Sequence, residues 1–199
     1  EVVTHTPVQD VTLPGGAGIL ALVTLDNGLD HTRPNTFGPA SIAELQATVD
    51  GLLARAQAGE IQAVGITGKP FIFAVGADLS GVGLIRLRKD AHAIAKGGHD
   101  VFRRLGELAV PSFAFVNGAA LGGGLEVALH CTYRTVSAEV SAIGLPECFL
   151  GLLPGWGGAY LLPNLIGADG AVTVMIENAL NQNRMLPAPQ AHGLGIFDA

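Results

Sequence analysis

The sequence predicts a single α/β domain, and three observations predict it. Short β-rich apolar runs alternate with segments of helical periodicity, the pattern of strands packed against helices. The 199 residues, 49% of them hydrophobic, are enough to close one sizeable core. No linker, repeat or low-complexity segment divides the chain, and its 28 glycines gather at junctions between apolar segments.

The elements follow in order. Ile19–Leu25 reads as a strand ending in a turn at Asp26-Asn27-Gly28. Residues 39–58 place Ile42, Leu45, Val49, Leu52 and Leu53 on one helical face, and Ser41 and Glu44 have the spacing of a capping box. Residues 63–67 form a short buried strand, followed by a loop over 68–83 that contains Gly76-Ala77-Asp78. A long helical region then runs to about Leu108, and Pro111 closes it. Ser112–Val116 is a strand that ends at Asn117-Gly118, and Gly122-Gly123-Gly124 leads into a short apolar helix over 125–129. Tyr133–Val136 and residues 141–143 are extended, and a Gly/Pro-rich loop spans 151–158. Helices follow at about 159–165 and 168–180.

A mean hydropathy of +0.43 raises the question of a membrane. Long apolar stretches such as that from Leu105 to Leu121 are broken by Glu107, Pro111 and Asn117. They fall short of the roughly 18 uninterrupted apolar residues a spanning helix needs. The first residues, EVVTHTPVQD, lack the basic flank and apolar run of a signal peptide. The expectation is a soluble, cytoplasmic protein that hides its apolar excess in a core or subunit interface. A net charge of −6 argues against a nucleic-acid partner. Six of the 11 Lys and Arg residues fall between Arg86 and Arg104, either as a solvated helix face or as a rim that attracts an anionic ligand. Cys131 and Cys148 have no CxxC spacing and are expected as reduced, buried thiols. The six histidines have no metal-site spacing, so no metal is expected.

Three features carry chemistry. In Gly122-Gly123-Gly124-Leu125-Glu126, consecutive glycines let the chain turn sharply and let a ligand approach peptide N–H groups at a helix N-terminus. That suits an oxyanion developing on a carbonyl, and it equally suits a tight strand-to-helix junction. The run lacks the GK[ST] of a phosphate loop and the GxGxxG spacing of a dinucleotide site, and Gly65 to Pro70 fails as a phosphate loop too. Glu126 and Glu147 are carboxylates in apolar settings, where burial and mutual repulsion would separate their pKa values into an acid and a base. Alternatively, either caps a helix or pairs with Arg134. Finally, Phe73-Ala74-Val75-Gly76-Ala77-Asp78 either supplies a second N–H to the same ligand oxygen or is simply a loop.

FAVGAD from Phe73, PSFAFVNGAALGGGLEVAL from Pro111 and IGLPECFLGLLPGWGG from Ile143 together resemble, in order and spacing, the crotonase (enoyl-CoA hydratase/isomerase) superfamily. With Gly167 and Asn183-Arg184-Met185-Leu186, the chain is similar to the hydratase part of multifunctional fatty-acid oxidation proteins. The resemblance implies a spiral (superhelix) of ββα turns with surrounding helices, assembled as a trimer or dimer of trimers. It implies an acyl-CoA thioester as substrate and no separate cofactor, since CoA arrives as part of the substrate. By the same resemblance, the N–H groups of Ala77 and Gly123 form an oxyanion hole. Glu126 activates the water that adds at C3, and Glu147 delivers a proton to C2. Phe73, Ala74, Gly76, Asp78, Gly122, Pro146 and Trp156 are the implied substrate-binding positions, and Lys69 and the Arg86–Arg104 cluster are candidates for the CoA phosphates. The competing readings are a 3-enoyl to 2-enoyl-CoA isomerase using Glu147, and a non-catalytic CoA-binding or assembly module. Because such domains usually continue through further helices, residues 1–199 are expected to be a core without them, a fragment or the N-terminal part of a longer protein.

Overall fold

The computed structural model describes the backbone of residues 1–199 and all side chains except those at positions 81, 82 and 84. Two sheets organise the chain. The first has the order β1-β2-β3-β5-β7, from β1 (Val8–Thr12), β2 (Ile19–Leu25), β3 (Ala63–Gly68), β5 (Ser112–Val116) and β7 (Tyr133–Val136). The second has the order β4-β6-β8, from β4 (Phe71–Ala74), β6 (Gly118–Leu121) and β8 (Ile143–Gly144). Only β1 pairs antiparallel; every other pairing between named strands is parallel.

The order of elements is itself a spiral. β3 and β4 are followed by α2 (Arg88–Arg103), β5 and β6 by α3 (Gly123–Leu129), and β7 and β8 by α4 (Gly158–Ile166). Each turn puts its first strand in the large sheet and its second in the small one, then crosses back through a helix, as parallel pairing requires. β3 is almost wholly buried because both faces of its sheet are covered, whereas β2 alternates and sends Ala21, Val23 and Leu25 inward. The corner between β3 and β4 is fastened by Asn117, whose Nδ2 donates to Gly68 O and Lys69 O and whose Oδ1 accepts from Gly68 N–H. Residues 68–83, expected as one loop, therefore contain β4 and a 3-10 turn at Leu79–Leu84. β6 follows β5 after one residue, where only the end of a strand was expected. At four residues apiece, β4 and β6 are too short to show a period.

α1 (Pro39–Gln57) packs Leu45, Val49, Leu52 and Ala56 inward at helical spacing. The expected capping box does not form. Gly38 is the N-cap, and Glu1 reaches across the chain to accept from the N–H groups of Ala40 and Ser41 at 3.1 and 3.0 Å. Ser41 is buried and donates its hydroxyl to the same carboxylate, while Glu44 accepts from Thr6 N–H. Arg134 pairs with neither Glu126 nor Glu147. It donates to Ile196 O and Cys131 O and lies 3.6 Å from Asp198. Cys131 is buried as expected, and Cys148 is partly exposed.

Lys69 corrects another expectation. Its Nζ is buried, donating to Leu29 O at 2.9 Å, Asp30 O at 3.0 Å, Arg33 O at 2.6 Å and also to Asn27 Oδ1. The ammonium ties down loop 27–33 and is not presented to a phosphate. Towards the C-terminus, α5 (Ala168–Val172), a π-helical stretch at Thr173–Glu177 and α6 (Asn178–Leu180) form one continuous helix, and α7 (Ala188–Gly193), not foreseen in the sequence, follows. Among the described residues, no helix is long and apolar enough to cross a membrane.

Candidate active site

The site forms where two turns of the spiral meet. β6 ends at Gly122, whose φ of 51° and ψ of −127° suit only glycine, and α3 begins at once. A side chain would not fit here. A Cβ on Gly122 would lie 2.8 Å from Glu147 Oε1, and one on Gly123 would lie 2.6 Å from the Trp156 ring. The loop after β4 comes alongside, with Gly76 at φ 98° and its would-be Cβ 3.2 Å from Gly123 N. Phe37 holds this loop from the other side: its N–H donates to Gly76 O at 2.8 Å and its carbonyl accepts from Asp78 N–H at 3.0 Å. Ala77 lies between those two bonds. Among the described residues, the N–H groups of Ala77 and Gly123 meet no acceptor, and Gly123, in the first turn of α3, has none within its helix.

Two carboxyls share the cavity these glycines open. Glu126, one turn into α3, is 2% exposed, and its Oε1 accepts from the N–H groups of Trp156 and Gly158, each at 2.8 Å. Burial outweighs both bonds and lifts its pKa to about 7. Glu147 sits in a 3-10 turn at Pro146–Leu150, and among the described residues its buried Oε2 has no partner. Burial first, and then the nearby Glu126 charge, lifts its pKa to about 7 as well. The sequence led us to expect separated pKa values. Burial instead raises both, and the Glu126 charge adds to the rise at Glu147.

The cavity measures about 250 Å³. It gathers Gly76, Ala77, Gly122, Gly123, Glu126, Pro146, Glu147 and Trp156 from the residues expected at the site. Phe73 and Ala74 are fully buried in the core, and Asp78 is turned to Ser80, whose N–H it accepts at 2.9 Å; none of the three lines the cavity. Sequence reasoning passed over the apolar wall. Ala91, Ile94 and Ala95 of α2 and Leu150, Leu152 and Leu153 supply it. The signal was present in the first half of α2: Ala91, Ile94 and Ala95 are apolar at i, i+3 and i+4 among charged neighbours, ahead of the buried Val101 and Phe102. The other face of α2 and the turn after it are solvated, with Lys96 paired to Asp100, Arg103 to Glu107 at 2.8 Å, and Arg104 to Asp50. Arg88 and Lys89, at its start, are exposed.

Residues 17–198 match the family model described as enoyl-CoA hydratase/isomerase. The fatty acid oxidation complex subunit alpha of Shewanella loihica is 38% identical over 182 residues, covering 90% of this chain and 24% of that protein. Its counterpart in Vibrio cholerae is 38% identical over 169 residues, covering 84% and 23%. The chain thus spans about a quarter of the length of these relatives. Among solved structures, Pseudomonas aeruginosa DspI superposes with a TM-score of 0.81 at 29% identity, over 98% of this chain and 73% of that one. An enoyl-CoA hydratase from Bacillus anthracis does so with a TM-score of 0.80 at 27% identity, over 98% and 69%. The parallel sheets and crossing helices are thus those of the crotonase fold, and with a family match over nearly its whole length this chain belongs to the enoyl-CoA hydratase/isomerase family.

Proposed function

We propose that this chain hydrates 2-enoyl-CoA thioesters to 3-hydroxyacyl-CoA in fatty-acid β-oxidation. One observation carries the reading: two carboxyls with pKa values of about 7 share one apolar cavity with two acceptor-free backbone N–H groups. The thioester carbonyl would accept from Ala77 and Gly123, an oxyanion hole reinforced by the N-terminal end of α3. At neutral pH the pair carries about one proton. Glu126 as carboxylate, aligned by Trp156 and Gly158, takes a proton from water as the water oxygen bonds to C3. The C2–C3 π electrons pass to the thioester oxygen as an enolate. Glu147 then gives its proton to C2 and the thioester re-forms, so one water is added in total. The finished step leaves Glu126 protonated and Glu147 ionised, and exchange with solvent resets them.

Isomerisation of 3-enoyl to 2-enoyl-CoA is the second reading, favoured by the unpartnered Oε2 of Glu147, which is suited to shuttling a proton between carbons. Association into a trimer or a dimer of trimers belongs to the same proposal, supported by the exposed Phe149, Leu153 and Tyr160 beside the site. So does a soluble, cytoplasmic location. The test is incubation with crotonyl-CoA while following loss of the conjugated enoyl-thioester absorbance, beside a parallel assay on a 3-enoyl-CoA. Loss with crotonyl-CoA is expected. Absorbance gain with the 3-enoyl substrate alone would replace hydration by isomerisation, and no change with either would overturn both readings.

A further inference from the structure

We propose that His130 is a positioning residue for this reaction, fixing the turn at residues 156–158 whose two N–H groups hold Glu126. The proposal rests on the reading of Glu126 as the base that activates water. His130 ends α3 one helical turn beyond Glu126, so both side chains leave the same side of the helix. Its Nε2 lies 2.8 Å from Trp156 O. A carbonyl can only accept, so Nε2 carries the proton and donates. The peptide it grips lies between the two whose N–H groups bond Glu126 Oε1. Clamping that carbonyl therefore fixes both donors at once.

The rest of the turn is built around the imidazole. Gly157 has φ 125°, and a Cβ there would stand 2.4 Å from His130 Nε2. The ring is held by Phe102 at 6.3 Å and His99 at 6.1 Å, both edge-on, from α2. Trp156 is held in turn, its ring edge-on to Phe102 at 5.3 Å and its indole N–H donating to Ile94 O at 3.3 Å. The titratable groups around this unit are His99 on α2, Glu126 on α3 and, beyond Glu126, Glu147. Burial lowers the pKa of His130, its bond to the Trp156 carbonyl opposes that, and His99 adds to the lowering. Protonation would leave the Nε2 donor in place, so the bond persists across the working range. Any pH effect of losing His130 must then come through Glu126, whose pKa the two N–H bonds pull down.

The experiment compares His130→Leu, which removes the donor, with His130→Gln, whose side-chain N–H still reaches the Trp156 carbonyl. For crotonyl-CoA hydration, His130→Leu is expected to lower kcat about tenfold or more with KM within about twofold, the size of effect one lost buried hydrogen bond produces. The acid limb of its kcat–pH profile should move to higher pH, and His130→Gln should stay within about threefold of the parent kcat. Trp156 is the one tryptophan in the chain, so its emission reads the turn without any turnover. A red shift and greater acrylamide quenching are expected for Leu and not for Gln. A folded Leu variant with unchanged kcat, pH profile and emission would overturn the proposal and leave His130 a packing residue. Should Leu fail to fold, a Gln variant more than about tenfold impaired would overturn it, and one within threefold would support it. A parent protein inactive on crotonyl-CoA would sink the hydratase reading alone, and the emission comparison would still decide whether His130 holds the turn.

Discussion

Burial holds the carboxyls of Glu126 and Glu147 at about 7, against 4.5 for a free glutamate. A carboxyl whose folded pKa is raised favours the fold while it is protonated. That contribution is complete below 4.5 and is lost as pH rises through about 7. At 1.36 kcal/mol per unit, each group costs the fold about 3 kcal/mol once ionised. Glu147→Gln is therefore expected to gain about 2–3 kcal/mol over the parent at pH 8 and less than about 1 kcal/mol at pH 5, read by urea unfolding at both. The same variant, and Glu126→Gln, should each lower hydration at least about 100-fold with folding intact, and near-normal turnover in either would remove that residue from the mechanism. In the proposed mechanism the pair works with one proton, so the parent's kcat–pH profile should be bell-shaped around neutrality. Both glutamates were legible as apolar-flanked carboxylates, but not how Glu126 is held. Its donors come from Trp156 and Gly158, 30 and 32 residues on, and only the fold brings them near. Lys69 was misplaced for a related reason. A lysine in sequence reads as a surface charge, yet four acceptors from loop 27–33 enclose this one. Lys69→Met would orphan them and should destabilise the protein by about 3 kcal/mol or more, seen as a lower midpoint in thermal unfolding.

Between β6 and α3, one short junction sets the shape of the site. The first turn of a helix leaves its N–H groups free, and glycine there keeps both a side chain and a clash with Trp156 out of the way. Gly123→Pro tests the donor. Proline is tolerated in a first helical turn, but it lacks the N–H. Removing one oxyanion donor typically costs about 2.7–4 kcal/mol, so a turnover loss of roughly 100-fold or more is expected. Since the ring would also press on Trp156, binding of a saturated acyl-CoA is measured beside the rate; full activity in a folded variant would remove Gly123 from the oxyanion hole. Longer elements, such as β2, α1 and β5, were read from periodicity with little error. The two short strands β4 and β6 were not, because each is stabilised by a parallel partner remote in sequence. The cap of α1 was missed likewise: Glu1 supplies it from nearly forty residues away, while the local Ser41 is buried beneath.

Across the whole molecule, the apolar surplus seen in the sequence divides between the core and exposed positions on several elements, Phe71 and Leu180 among them. Phe149, Leu153 and Tyr160 expose 57%, 72% and 73% of themselves on neighbouring elements beside the cavity. An oligomer, most simply a trimer or a dimer of trimers, is the expected state in light scattering at micromolar concentration, and a stable, fully active monomer would contradict it. The sequence by itself determined the α/β class, most of the longer elements, the family and the two glutamates, because periodicity, glycine runs and short motifs are local properties of the chain. Tertiary structure alone decided which of those residues share a cavity. It moved Phe73 and Ala74 into the core, turned Asp78 to Ser80, enclosed Lys69 in carbonyls, and lined the site with Ile94 and Leu150. Side-chain direction, burial and the partner of a charge depend on what the next turn of the spiral brings alongside, and no local pattern in the chain encodes that neighbour.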